Sequence, residues 1–215
     1  TTEIYTLSLH DALPISCASS TPGATSCPVI RAAAQGPDPG RRAVAESNAA
    51  WSAIADLVDV VERDDATAAR EVGPLFRRAF GDELPDFPRH FVLRYLGGGP
   101  PVPLGYYHVT PWEGCYLAGG MVFDERVYRR LSPEHRARIR ASGGAMEFLT
   151  RRTHAMLTDA IAVFGHVGDP RAERIDLRAG YVHTPHSHVM VCWQRSLPPA
   201  EREALVARVA ALGPF

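Results

Sequence analysis

The run Cys115-Tyr-Leu-Ala-Gly-Gly-Met-Val-Phe123 constrains this chain more than any other stretch. An uncharged run of that length reads as a strand inside a sheet. Gly119-Gly120 in its middle weakens the ladder and points to a bulge or a close backbone approach. A basic connector follows, and Arg140-Ala-Ser-Gly-Gly-Ala145 then opens onto a helix. Met146, Leu149, Thr153, Met156 and Leu157 fall on one side of that helix. Two glycines at a helix start leave backbone N–H groups uncovered by side chains. Together with the positive end of the helix dipole, those groups can hold a phosphate, and Arg140 adds a fixed positive charge beside them. The same glycines can equally end one helix and let the next begin. The sequence leaves both readings standing.

The flanks predict the rest of a sheet. His90–Leu96 and Val102–Val109 have the aromatic and branched content of strands. With Thr110–Gly114 as a turn, they form an antiparallel meander with 115–123. Before them, Trp51, Ile54, Val58 and Val61 recur at three- and four-residue steps, and we read a helix there, although Leu57–Val61 is rich enough in Val for a strand. Asp65 is the expected cap of a second helix through Leu75, Phe76 and Phe80, with Pro74 kinking or shortening it and Gly81 ending it. Ser132-Pro133-Glu134 has a helix-start pattern. Asp159–Gly165 reads as a strand buried on both faces, and Asp169 as the cap of a helix to Ala179 that Gly180 closes. His188–Trp193 is a further strand, and Pro198–Leu212 a closing helix. The expected class is α/β, a mixed and mostly antiparallel central sheet with helices on both faces.

Two segments are set aside. Residues 1–15 resemble one reading frame of a common short-read sequencing adapter, so residues 1–16 are read as a scar and excluded from fold reasoning. Residues 17–43 are Ala, Ser, Gly and Pro with few large apolar side chains, and are read as a disordered leader. Residues 44–215 then form one domain. The formal net charge of -1 gives no bulk electrostatic case for nucleic-acid binding. Every basic side chain among the Lys and Arg positions is Arg, which fits a codon bias. The four cysteines are scattered without a CxxC, so a reducing cytoplasm is the simplest compartment. No apolar run approaches the roughly 20 residues of a membrane-spanning helix.

The order of elements and three local patterns resemble the GNAT superfamily of acyl-CoA-dependent N-acyltransferases. Arg140-x-x-Gly143-x-Ala145 at a helix start is similar to the family's pyrophosphate loop. The meander feeds into it. Asp169-x-x-Ala172-x-x-Ile175, leading to Gly180-Tyr181, is similar to the family's following helix. The similarity covers about Asp65 to Trp193. It departs from the family in the long connector after Phe123, in the unclear leading strand, and in Asp176, which stands where many members carry a Tyr that protonates the departing thiol.

The resemblance implies a GNAT-like fold and direct transfer of an acyl group from acetyl-CoA, or a related acyl-CoA, to a primary amine of a small molecule or peptide. The thioester would lie in a splay between 115–123 and 159–165. Backbone groups of Met121, Val122 and Phe123 would hold the pantetheine arm, and the diphosphate would sit on Ser142, Gly143, Gly144 and Ala145 with Arg140; Asp169 marks the second helix start of the cofactor site. The expected partners are such an amine, no nucleic acid and no membrane, with homodimerisation left open. No metal is expected.

Candidate proton-transfer groups are His108 at a strand end, Glu113 in the meander turn, and Tyr181, which could replace the missing thiol acid. Asp124 and Glu125 follow the strand and serve equally as helix-start acids. Arg126, Arg129, Arg130, Arg136 and Arg138 form either a solvated face or a contact for the adenosine phosphate. Two other functions remain open: a module of the same fold that only senses acyl-CoA, and a metal protein built on His183, His186 and His188.

Overall fold

The computed structural model describes residues 3–5 and 52–215. The leader expected over 17–43, and Trp51 in the first expected helix, lie outside the described residues. Among the described residues, eight strands form one sheet: β1 (Glu3–Tyr5), β2 (Val58–Arg63), β3 (Arg89–Tyr95), β4 (Val102–Trp112), β5 (Cys115–Phe123), β6 (Ala162–His166), β7 (Val182–His183) and β8 (Val189–Trp193). Their order is β2-β3-β4-β5-β6-β8-β7, with β1 pairing to β5 off this path. β5 and β6 run parallel, and the other pairs among the described strands are antiparallel. This is the expected GNAT-like mixed, mostly antiparallel sheet.

Six helices cover it among the described residues: α1 (Asp65–Phe80), α2 (Glu125–Arg130), α3 (Pro133–Ala141), α4 (Ala145–Met156), α5 (Pro170–Ala179) and α6 (Pro199–Ala210). On one face, Ile139 of α3, Phe148 and Leu149 of α4, and Ala172 and Ile175 of α5 pack with Tyr107, Met121 and Val163. On the other, Val72 and Phe76 of α1 meet Val92, Tyr106 and Val122. Leu205, Val206 and Val209 of α6 meet Leu117, Phe164 and Val191 there as well. β5 is buried along its whole length, as a strand covered on both faces must be.

Several expectations are corrected. Of the first expected helix, Val58 and Val61 lie instead in strand β2 and Ile54 in the turn before it. The first residues of β2 alternate buried and half-buried, the period of a sheet and not of a helix. Asp64, not Asp65, caps α1: its carboxylate accepts from the Thr67 N–H at 2.9 Å. Pro74 lies inside a helix that runs on unbroken to Phe80. β4 extends to Trp112, which shrinks the turn to Glu113-Gly114. Glu3–Tyr5, inside the segment set aside as a scar, is a strand of the sheet.

Candidate active site

β5 is where the sheet opens. Its parallel ladder to β6 covers Tyr116, Leu117 and Ala118 against Val163, Phe164 and Gly165 and then stops. On its other edge the ladder to β4 continues, with Tyr107 opposite Met121 and Val109 opposite Ala118. One β4 residue, His108, therefore faces two on β5, Gly119 and Gly120. That is a β-bulge, which bends the bulged strand and raises its twist. Beyond it, Met121–Phe123 has its free edge on the β6 side, and there Glu3–Tyr5 pairs antiparallel, Ile4 opposite Val122. The expected splay is present, and in this chain its strand edge holds an extended segment of the chain itself.

His108 explains both glycines. A Cβ on Gly119 would lie 1.9 Å from His108 Nε2, and one on Gly120 would lie 3.2 Å from His108 Cε1 and 3.1 Å from Phe76. Both would point to the α1 side, as consecutive bulge residues do. Gly119→Ala is expected to destabilise the domain by about 3 kcal/mol or more, since a core this dense absorbs an added methyl poorly; chemical unfolding of the variant measures it. The Gly120 N–H donates to His108 Nε2 at 3.0 Å. That nitrogen is an acceptor, so the ring proton sits on Nδ1, which has no partner among the described residues. The ring is 2% exposed, and burial pushes its pKa down to about 3. His108 is thus sealed in the core with its basic nitrogen engaged, and is not placed to take a proton from an amine.

Glu113 also fails as the base. It lies in the turn before β5, at the opposite end from the splay, about 20 Å away at strand spacing. It pairs there with Arg208 at 2.9 Å and takes a positive φ of 46°. Tyr181 is buried just after α5, its hydroxyl 3.3 Å from Tyr107 Oη and 3.3 Å from His154 Nε2. Burial holds its hydroxyl protonated, well above the ordinary tyrosine range. Its ring edge would be 3.6 Å from a Cβ on Gly165, the last β6 residue of the parallel ladder. The Tyr107–Tyr181–His154 group therefore lies under the fork of the sheet. Burial pushes His154 down to about 3, and its Nδ1 also lacks a partner among the described residues.

Burial raises the Tyr107 and Tyr181 hydroxyls, and Asp176 lies near enough on α5 for its carboxylate charge to raise them further. It is 7% exposed, and desolvation pushes its carboxyl up to about 7. A carboxyl whose burial holds it near neutrality has the titration a proton donor needs. The sequence marks this position by what it lacks, and burial supplies the property that a lone Asp does not announce.

The glycine corner resolves to the second of its two readings. The Gly144 N–H donates to Ile139 O at 3.0 Å, and the Gly143 N–H to Arg140 O at 3.2 Å. The Ser142 N–H donates to Arg138 O at 3.2 Å. Bonds of this 6→1 and 5→2 pattern form a Schellman closure of α3; Gly143 and Gly144 have φ of 101° and 99°, open to glycine. The amides of Ser142, Gly143 and Gly144 are taken up by the helix end, and the expectation that they cradle a diphosphate is corrected. α4 then starts at Ala145 with no side-chain cap. Glu147 lies in its first turn, beneath Gly143, and accepts from Arg151 Nε at 3.1 Å and Arg178 Nε at 3.0 Å. An internal carboxylate already complements that helix end. Arg140 is exposed. Asp169 caps α5, accepting from the Arg171 N–H at 3.1 Å and the Ala172 N–H at 3.4 Å.

The connector forms α2 and α3. Asp124 caps α2, Glu125 pairs with Arg129, and Arg138 pairs with Asp56. His183, His186 and His188 line an open cavity of about 480 Å³ with Glu173. His183 Nε2 lies 3.3 Å from Glu173, and His188 Nδ1 3.1 Å from Val167 O. Among the described residues, no group of three or more His, Cys, Asp or Glu is placed to hold a metal. Among them, no helix is long and apolar enough to cross a membrane.

No family model matches the chain, and no match to it was found among curated proteins. Solved structures of similar chains include AtaTR bound with AcCoA, 15% identical with a TM-score of 0.34, covering 70% of this chain and 98% of that one. They also include AtaT complexed with acetyl-methionyl-tRNAfMet, 12% identical with a TM-score of 0.33, covering 69% and 98%. The second corrects one expectation. The expected partners are a small-molecule or peptide amine, as the resemblance implies, and no nucleic acid, for which the net charge gives no case; that complex contains a tRNA, and the exclusion of nucleic acid is withdrawn.

Proposed function

We propose that this chain is an acyltransferase that moves an acyl group from an acyl-CoA thioester to an amine. The observation that carries the proposal is the fork between β5 and β6. The ladder stops at Ala118 and Gly165, a bulge turns β5 aside, and the main chain of Met121–Phe123 is left able to pair with an extended partner. Glu3–Tyr5 uses that edge, so it accepts an extended chain, as a pantetheine arm requires. The diphosphate end fits less of what the sequence implied. The first turn of α4 and Arg140 are the groups left to hold it, since the amides of 142–144 are engaged.

When bound, the thioester supplies the activated acyl carbon. The protein's share is to hold that group along β5, to keep water from it at the fork, and to place a proton where the thiolate forms. Asp176 is the group beneath the fork suited to give that proton, at the position where the resembled family carries a tyrosine. Neither His108 nor Glu113 is placed to receive the amine's proton, which supports release of that proton to water.

The test is release of free thiol from acetyl-CoA in the presence of amines, including aminoacylated tRNA, beside calorimetric titration with CoA. Thiol release that depends on an amine is the expected result. CoA binding with no release across the acceptors would favour the sensing module, and absence of both would refute the proposal. Because Glu3–Tyr5 and the pantetheine arm compete for one edge, Ile4→Pro, which removes a strand N–H, is expected to tighten CoA binding severalfold in the same titration.

A further inference from the structure

We infer that His108 is a positioning residue: its ring nitrogen, by accepting the Gly120 N–H, holds Gly119-Gly120 out of line, a wedge that ends the β5–β6 ladder and opens the groove. The consequence for binding rests on the acyl-CoA reading above; the wedge itself does not. The bulge begins at Gly119, and the last paired β5 residue is Ala118, its immediate neighbour. Leu117 faces the α6 side, and Ala118 and Met121 face the α4 side. Gly119 and Gly120 between them both turn to His108, so the extra residue restores alternation beyond the bulge. Without that acceptor the Gly120 N–H is released and Gly119 loses the ring it faces, and the shortest repair is a regular strand running on beside β6.

The ring is fixed from several sides. Its Nε2 takes the Gly120 N–H, and the rings of Phe76 and Tyr106 lie 6.1 and 5.6 Å away between centroids. Tyr106 is held in turn by His90, whose Nδ1 lies 2.7 Å from its hydroxyl, while His90 Nε2 lies 3.2 Å from Asp65 at the start of α1. His108 thus acts through the backbone of β5 and not on the reacting atoms.

The experiment combines nitrogen NMR of the His108 ring with amide exchange and CoA titration on the full chain. In the parent, Nε2 is expected unprotonated and Nδ1 protonated from pH 5 to 8, with a slowly exchanging Gly120 amide. His108→Phe fills the space but cannot accept; it is expected to lose Gly120 protection and weaken CoA binding about tenfold. His108→Gln retains an acceptor and is expected to stay within about threefold of the parent, with an unshifted pH profile. An Nε2–H ring in the parent, or a folded His108→Phe with parental Gly120 exchange, overturns the wedge. If His108→Phe does not fold, the parent's ring tautomer and the Gln variant decide. If the parent binds no CoA, the acyl-CoA reading fails, and the ring and amide measurements still settle the wedge.

Discussion

Asp176→Asn is expected to stabilise this protein by about 4 kcal/mol at pH 8. The carboxyl is pushed from 3.8 to about 7 by desolvation, and a difference of one pH unit between folded and unfolded titration corresponds to about 1.4 kcal/mol. The folded state holds the proton more tightly than the unfolded chain. The contribution is therefore fully present below pH 3.8, falls as pH rises, and is lost once pH passes about 7. Asn mimics the protonated form at every pH. The gap between variant and parent should be near zero at pH 4 and full by pH 8, as urea unfolding across that range would show. A gap independent of pH would mean that Asp176 is ionised and paired in the fold. A stabilised variant that released no thiol would be the sign of a residue kept for chemistry at a cost in stability.

Acid should unfold the chain from the other side. His108 and His154 are each pushed down to about 3 by burial, and burial lowers His90 as well. A group with a depressed folded pKa contributes stability above its unfolded value, here 6.5, and loses it as pH falls toward the folded one. Two such rings lose about 2.7 kcal/mol per pH unit between them, and protonation of Asp176 returns about half of that. Stability should peak near pH 6.5 and decline toward pH 4. His154→Phe removes one ring and should flatten the acid limb by about 1.4 kcal/mol per pH unit. An acid limb unchanged in that variant would show that His154 is solvated in the folded state.

What the sequence discloses is mostly periodicity. The meander is legible because β3, β4 and β5 are branched and aromatic, and the bulge because two glycines interrupt an apolar run. β2 passes for a helix because Ile54, Val58 and Val61 mimic helical spacing across a turn, where Ile54 caps the chain's entry and accepts from the amides of Leu57 and Val58. At Gly143-Gly144 the same residues suit a phosphate cradle and a helix closure. Only the destination of their amides separates the two, and that depends on α3 continuing to Ala141. His108 stands out in the sequence as a polar residue at the right place, but its task there is different from the one its chemistry suggests. No local pattern tells that a ring faces inward against two glycines on another strand. Asp176 is visible as a departure from a family pattern, but its titration near neutrality comes from helix packing that sequence does not specify.

The fit of one imidazole against two absent side chains makes positions 108, 119 and 120 a single unit of variation. A methyl at 119 is intolerable beside the ring and harmless once the ring is gone, so His108→Ala should rescue part of what Gly119→Ala loses, with the two changes far from additive. In related chains these three positions should therefore change together or not at all, and any chain with a bulkier residue at 119 should carry a small one opposite.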